Sequence, residues 1–389
     1  MLQWISRLIS EYGELNRFRK SDRKNRQIVI YVESHSYWQY FKPIYEHIIQ
    51  EKKIIISYLT SSSDDPFLKN PPERIHAYNV GTGTIRTIAF ASLDATIVLM
   101  TSPELETTYI KRSKLPVHYV YLPHNMTSTH MVFRAKAFNG FDTIFCTGLH
   151  QFKEHMEAQR IYSLRSRNLL KGGYVKLDSA LEVAAESNLE SGDNNRRVVL
   201  APTWGPDALI NFGCAELVQN LLDHEIIVIM RPHRISEIED RKKILNLEKR
   251  FGNHKNFLWA KDLSGDKKYY DADVLITDWS GSAFSFAFGF ERPVLFVDLP
   301  QKIKNNDYDK FSNVPLEVSI RSEMGKILAL DRLNEVSEMV FQLCEDKMSW
   351  AEKIKRLRKK WCFKVGEAAP YAAKNICQLL EELNSQNTS

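Results

Sequence analysis

From residue 27 onward, short β-rich apolar runs alternate with stretches of helical length. QIVIYVE (27–33) opens the series, followed by KIIISYL, RIHAYNV, ATIVLMT, VHYVYLP and DTIFCTG, the last covering residues 142–148. Continuous apolar runs of this kind, separated by helical lengths, predict βαβ units and a parallel sheet covered on both faces. SNLESGDNN (187–195) has no apolar run and reads as a linker. A second series follows it: RRVVLAP, EIIVIMRP, NFLWA, DVLITD and RPVLFVD, ending at residue 298. The pattern therefore predicts two doubly wound α/β halves with a cleft between facing strand ends. The divisions expected are an N-terminal helix and basic linker (1–26), a first Rossmann-like domain (27–186), a second (187–350) and C-terminal helices (351–389).

The N-terminal segment has a different pattern. MLQWISRLISEYGEL places Leu2, Ile5, Leu8, Ile9 and Tyr12 on one helical face, and Arg17, Arg19, Lys20, Arg23, Lys24 and Arg26 follow. An apolar face beside cations fits an interfacial helix on an anionic membrane leaflet; the other reading is a helix docked on the body with a solvated linker. The apolar positions alternate with Gln3, Arg7 and Glu11, unlike a signal peptide. No run reaches the ~18 apolar residues of a membrane span. The basic run 353–364 reads as a solvated helix face.

Composition narrows the class. The 389 residues are 43% hydrophobic and 26% charged, a globular balance with material for more than one core. A net charge of +5 is mild for this length and argues against nucleic-acid binding. Cys146, Cys214, Cys344, Cys362 and Cys377 form no CxxC pair, which fits a reducing compartment and offers no structural zinc site. The expected location is the cytoplasm, with peripheral contact at the inner membrane face.

Three strand ends of the second half carry unusual residues. RRVVLAP leads into Thr203 and Trp204, EIIVIMRP ends at Arg231, Pro232 and His233, and DVLITD ends at Asp278, Trp279, Ser280, Gly281 and Ser282. Carboxyl ends of neighbouring parallel strands open on one crevice, so these groups are expected to converge. A helix starting at Ser280 would present free N–H groups, and two hydroxyls with an arginine suit a phosphate or pyrophosphate. Capping of that helix by Asp278 or Ser280 is the plainer alternative. In the first half VHYVYLP runs into His124, placed to act as a base near neutral pH, with His130 a lesser candidate. GTGT at 81–84 lacks the lysine of a phosphate loop and reads as a turn. Asp298 either faces the cleft or caps a turn, and Glu323 with Gly325 could touch a ribose. KGGYVKLD (171–178) reads as a strand start and a domain hinge, with Gly172 and Gly173 allowing close backbone approach.

The succession LAPTW, RPH, DVLITDWS with its apolar helix, and RPVLFV resembles the CDP-glycerol glycerophosphotransferase family of teichoic acid synthesis. That resemblance implies a GT-B architecture, with two Rossmann-like domains facing across a cleft. It also implies a CDP-alcohol donor on the second domain, its pyrophosphate held by Arg231, His233, Ser280 and Ser282, and His124 as base. An acceptor hydroxyl on a surface glycan or lipid-linked precursor would attack the phosphorus beside the glycerol and expel CMP. His233 is carried as a catalytic as well as a donor-binding candidate. No cofactor is required by this scheme, and a divalent metal is left open. The chain departs from the family pattern at Asn125-Met126, where Gly-Thr is usual, and at Trp279 and Gly281. STHMVFRAKAFNGFDTIFC suggests a divergent branch. Two alternatives stand beside this reading: a GT-B glycosyltransferase using a nucleotide sugar, and a non-catalytic nucleotide- or glycan-binding scaffold.

Overall fold

The computed structural model describes residues 2–107, 110–186, 196–260 and 271–386. The linker expected at 187–195 lies outside the described residues. Two parallel sheets are present among them. The first orders its strands β3-β2-β1-β4-β5-β6-β7. These are β1 (Ile28–Val32), β2 (Ile56–Thr60), β3 (Ile75–Asn79), β4 (Ile97–Met100), β5 (His118–Tyr121), β6 (Thr143–Cys146) and β7 (Asn168–Lys171). The second runs β10-β9-β8-β11-β12-β13. Here β8 is Arg197–Leu200, β9 Ile227–Met230, β10 Phe257–Trp259, β11 Val274–Thr277, β12 Val294–Asp298 and β13 Gly325–Ala329. Central strands such as β1 and β11 are buried at every position, as expected of strands covered on both faces. The strand order reverses between β1 and β4 and again between β8 and β11, the two places where such sheets open a crevice.

β7 and β13 were not expected. Gly172 and Gly173 follow β7 and precede the helix Val175–Glu186, so they stand at a strand end rather than a strand start. A Cβ on Gly172 would meet the Phe145 ring at 2.5 Å; Gly173, at φ +80°, abuts the Phe363 carbonyl. Gly325 begins β13 beside Val294, at the opposite end of the sheet from the crevice. Glu323 lies in the short helix before it and does not line the cleft, because a parallel strand carries its N-terminal residues away from its C-terminal ones.

The chain crosses between the domains more than once. Helix Lys347–Trp361 buries Ile354 and Leu357 in the second domain, whereas helix Ala368–Gln386 returns to pack Ala372, Ile376 and Leu380 with β1 and the helix Lys42–Glu51 of the first. The N-terminal helix Leu2–Lys20 docks through Leu8, Leu15 and Phe18 and leaves Trp4, Ile5, Ile9 and Tyr12 exposed. Its buried face is therefore not the stripe expected from sequence. All five cysteines are unpaired.

Candidate functional site

A cleft of about 1320 Å³ runs between the domains, lined by the carboxyl ends of strands from both sheets. On the second-domain wall, Thr203, Arg231, His233, Ser280 and Ser282 converge there. The wall is shaped by Asp278. Its carboxylate is 1% exposed and accepts the backbone N–H groups of Thr203 (2.7 Å), Trp279 (2.7 Å) and Leu209 (2.8 Å). Burial raises its pKa even against those three bonds. Asp278 is thus a clamp between the turns after β8 and β11, not a group that touches a ligand. Trp279 borders the cleft but is held largely inward. Its indole N–H donates to the Leu299 carbonyl at 2.7 Å, the Arg321 guanidinium lies 4.0 Å over its ring, and only 7% of it is exposed. Arg321 also pairs with Asp298 at 3.1 Å, which settles Asp298 away from the cleft.

The helix after the turn begins at Ser282, two residues later than expected. Ser280 Oγ accepts the Ser282 N–H at 3.3 Å and lies 2.8 Å from Ser282 Oγ, so the two hydroxyls sit together at the helix start. There the orphan N–H groups of a first turn suit an anion. His233 takes a defined tautomer. Its Nδ1 accepts the Ile235 N–H at 3.1 Å, so Nε2 carries the ring proton. Burial, then Lys302, Arg231 and Lys304, holds its pKa down to about 4. A neutral imidazole in this tautomer can donate its N–H to a phosphate oxygen, while the nitrogen that could take a proton is already engaged by the Ile235 N–H.

Sequence reasoning missed the lysines of this wall. Lys302 donates to Thr203 Oγ1 at 3.0 Å and to the Trp204 carbonyl at 2.6 Å. Its ammonium is 4.0 Å from the Trp204 ring centre, and that of Lys304 is 3.5 Å from it. Burial, with Lys304 next, lowers Lys302 to about 7; burial and Arg231 lower Lys176, on the first-domain side, to about 8. Suppressed lysines in one cleft regain full charge when an anion arrives. Both Lys302 and Lys304 follow β12, so the strand-end rule applied to RPVLFVD would have found them.

On the first-domain wall His124 stands at the end of β5. Its Nδ1 is 3.2 Å from the Tyr121 hydroxyl, and the Asn125 side-chain amide lies 3.4 Å from Nε2. With Nδ1–H toward Tyr121, Nε2 keeps its lone pair. Burial takes His124 down to about 4, and Tyr37, Tyr40 and Phe133 stand edge-on around the ring. In that tautomer Nε2 accepts from the Asn125 amide, a long contact that an acceptor hydroxyl would have to displace to find a base there. His130 does not reach the cleft. It is 3% exposed, stacks on Tyr308 and Phe311, and its Nδ1 is 3.3 Å from the buried Glu154 carboxylate. Burial works against the charged imidazole, but Glu154 outweighs it and raises the pKa. Among the described residues no group of three or more His, Cys, Asp or Glu side chains is placed to hold a metal ion.

Curated protein sequences offer no match. Among solved structures, the wall teichoic acid polymerase TagF, carrying a histidine-to-asparagine substitution and soaked with CDPG, is similar at 16% identity with a TM-score of 0.61 over 98% of this chain and 96% of that one. The Staphylococcus aureus MnaA–UDP structure gives 12% identity and 0.58 over 94% and 98%. A Listeria monocytogenes putative UDP-N-acetylglucosamine 2-epimerase gives 13% and 0.57 over 92% and 96%. These likenesses establish the GT-B-like fold. By sequence, the family model for CDP-glycerol:poly(glycerophosphate) glycerophosphotransferase matches residues 17–362, spanning both walls of the cleft. The chain therefore belongs to the CDP-glycerol:poly(glycerophosphate) glycerophosphotransferase family.

Proposed function

We propose that the chain transfers glycerol phosphate from CDP-glycerol to a hydroxyl of a glycan or lipid-linked acceptor and releases CMP. The observation that carries this reading is the opposition across the cleft of two imidazoles that burial keeps neutral. His124 offers a lone pair from one wall, and His233 offers an N–H from a wall of cations. Arg231, His233, Lys302 and the Ser280–Ser282 turn would hold the pyrophosphate. The acceptor oxygen attacks the phosphorus bearing the glycerol, while His124 Nε2 takes its proton. The bond from that phosphorus to the bridging oxygen breaks, and the electron pair leaves with CMP, whose added charge falls on the cation wall. As written, the step needs no cofactor.

The test is incubation of the full chain with CDP-glycerol, CDP-ribitol and a panel of nucleotide sugars, with and without EDTA, scoring the nucleotide released. CMP released from CDP-glycerol and lost in His124→Ala is the expected result; that substitution removes a proton acceptor, an effect of about 10²–10⁴-fold. UDP or GDP release from a sugar donor would favour a glycosyltransferase. No turnover with nucleotide binding intact would favour a scaffold.

The same reading places the enzyme on an anionic membrane surface. Trp4 is 63% exposed and Ile9 67%, with Ile5 and Tyr12 beside them, and Lys20 at the helix end and Arg23 and Lys24 just beyond it lie exposed. Large apolar side chains held outward on a docked helix, next to cations, suit insertion at a headgroup boundary. No described helix is long and apolar enough to cross a membrane.

A further inference from the structure

The segment after His124 leaves its own domain. Met126 joins the cluster containing Val199 and Phe284, and Met131 joins the one containing Val198 and Leu295, so residues 125–131 plug the first domain into the second. Their backbone is held from both sides. In the first domain, Glu154 accepts the Thr129 N–H (2.6 Å) and hydroxyl (2.8 Å), Gln151 donates to the Thr127 carbonyl (2.9 Å), and His150 bonds the Met126 carbonyl (2.7 Å). From the second domain, Glu317 accepts the Ser128 N–H with both oxygens (3.2 and 3.0 Å), while the Leu316 N–H donates to Ser128 Oγ at 2.8 Å. Lys304 N–H and Asn305 Nδ2 bond the Met131 and His130 carbonyls (2.8 and 2.9 Å).

We propose that Glu317, reaching across from the second domain, is a positioning residue that sets His124 through the 125–131 segment. Glu317 is 6% exposed and lines no part of the cleft, so it touches neither donor nor acceptor. Its two oxygens converge on a single N–H four residues beyond His124, and between them stand only residues whose main chain is already held by Gln151 and His150. Only three residues, with little slack in their main chain, separate Ser128 from His124, so the place of Ser128 bears on that of the imidazole. The base is complete only when the domain carrying the donor site is seated against it, which couples closure to proton removal. This inference rests on His124 being the base.

The test uses the full chain with Glu317→Ala and Glu317→Gln, the glutamine retaining a carbonyl oxygen for the Ser128 N–H. Carbethoxylation of His124 is followed by peptide mass spectrometry against the exposed His254 as internal reference. CMP release from CDP-glycerol is measured in parallel. Glu317→Ala is expected to change the His124 labelling rate severalfold and to lower kcat by about 100-fold, the scale of a 1 Å misplacement, with KM for CDP-glycerol little changed. Glu317→Gln is expected to restore most of both. Wild-type labelling in a folded Glu317→Ala protein, or a Glu317→Gln as impaired as the alanine variant, overturns the inference. Should the alanine variant not fold, Ser128→Ala, which removes the hydroxyl that bonds both the Leu316 N–H and the Glu317 carboxylate, takes its place in the labelling arm; an unchanged His124 rate there counts against the proposal. Failure of the wild type to release CMP would instead overturn the reaction, while labelling still decides the positioning role.

Discussion

Asp278 gives the sharpest stability prediction. It is buried, and its two oxygens serve three backbone donors: Oδ1 takes Thr203 and Trp279, and Oδ2 takes Leu209. Asp278→Asn keeps the carbonyl for the first two if the amide orients accordingly, but sets an NH2 against the Leu209 N–H. One buried donor is then orphaned, at a cost of about 1–3 kcal/mol. Asp278→Ala orphans all three, and even with water entering the gap the loss should exceed ~3 kcal/mol. For a domain of this size each kcal/mol lowers the melting temperature by about 2–4 °C, so the asparagine and alanine variants should separate clearly by calorimetry. Function should split the same way. The asparagine variant frees only the Leu209 end of the turn bearing Trp204, whereas the alanine variant also frees Thr203 and Trp279 and should raise KM for CDP-glycerol more. Equal melting temperatures for wild type and both variants would refute the clamp. So would an asparagine variant as unstable as the alanine one.

Three other expectations follow from the same geometry. Because burial holds His124 at about 4 instead of 6.5, the imidazole is already neutral at pH 5; the acid limb of kcat/KM should fall near pH 4, and a limb near 6.5 would refute a buried base. The unfolded chain protonates first, so the fold itself loses stability as pH drops below 6.5, and rates need to be initial ones. Gly281 has an ordinary φ of −62°, but a Cβ there would lie 3.1 Å from Thr127 Cγ2; Gly281→Ala should lower kcat severalfold, and adding Thr127→Ser, which removes that methyl, should restore it, with additive losses in the double variant refuting the contact. Replacing Trp4, Ile5, Ile9 and Tyr12 with serine should abolish co-sedimentation with anionic vesicles while leaving the melting temperature near wild type, since the docked face keeps Leu15 and Phe18; undiminished binding would refute the helix as anchor.

The central strands were legible because a parallel sheet covered on both faces demands unbroken apolar runs, and β1, β8, β9 and β11 supply them. β7 and β13 escaped for the complementary reason. Each is an edge strand with one neighbour, so NLLK and GKILA carry polar or exposed positions that dilute the signal. In the N-terminal helix the sequence holds two apolar faces. Local periodicity cannot tell which one meets β3, because that depends on a surface distant in the chain. The cleft residues at strand ends were readable from topology alone, including His124, Arg231 and the Ser280–Ser282 turn. Lys302 and Lys304 follow β12 and were within reach of the same rule, but a lysine in a loop looks solvated until an indole such as Trp204 is seen beneath it. Asp278 shows the opposite case: position beside the site suggested contact with the ligand, while its carboxylate turns inward to hold the wall.

That last distinction changes where a difference in substrate would be encoded. Trp279 and Gly281 are the two positions of the turn at which the chain leaves the family pattern, and both neighbour the serines proposed to hold the donor's phosphates. Trp279 borders the cleft, but its indole N–H is spent on the Leu299 carbonyl and its ring carries the Arg321 guanidinium. Gly281 faces Thr127 and Asn125 of the first domain, and its missing side chain is what lets that segment come so near. Asn125-Met126, the third departure, sits on the opposing side of this same contact. The Asn125 amide approaches His124 Nε2, while Met126 is buried against the second domain. Two of the three departures are therefore paired across one interface, beside the base rather than around the nucleotide. A change there alters how the acceptor hydroxyl and His124 meet once the domains are seated, and leaves the cation wall that would hold the pyrophosphate as it was. If His124 is the base as proposed, these positions bear on acceptor choice more than on donor choice. Exchanging Asn125, Met126 and Gly281 together should shift acceptor preference at constant KM for CDP-glycerol.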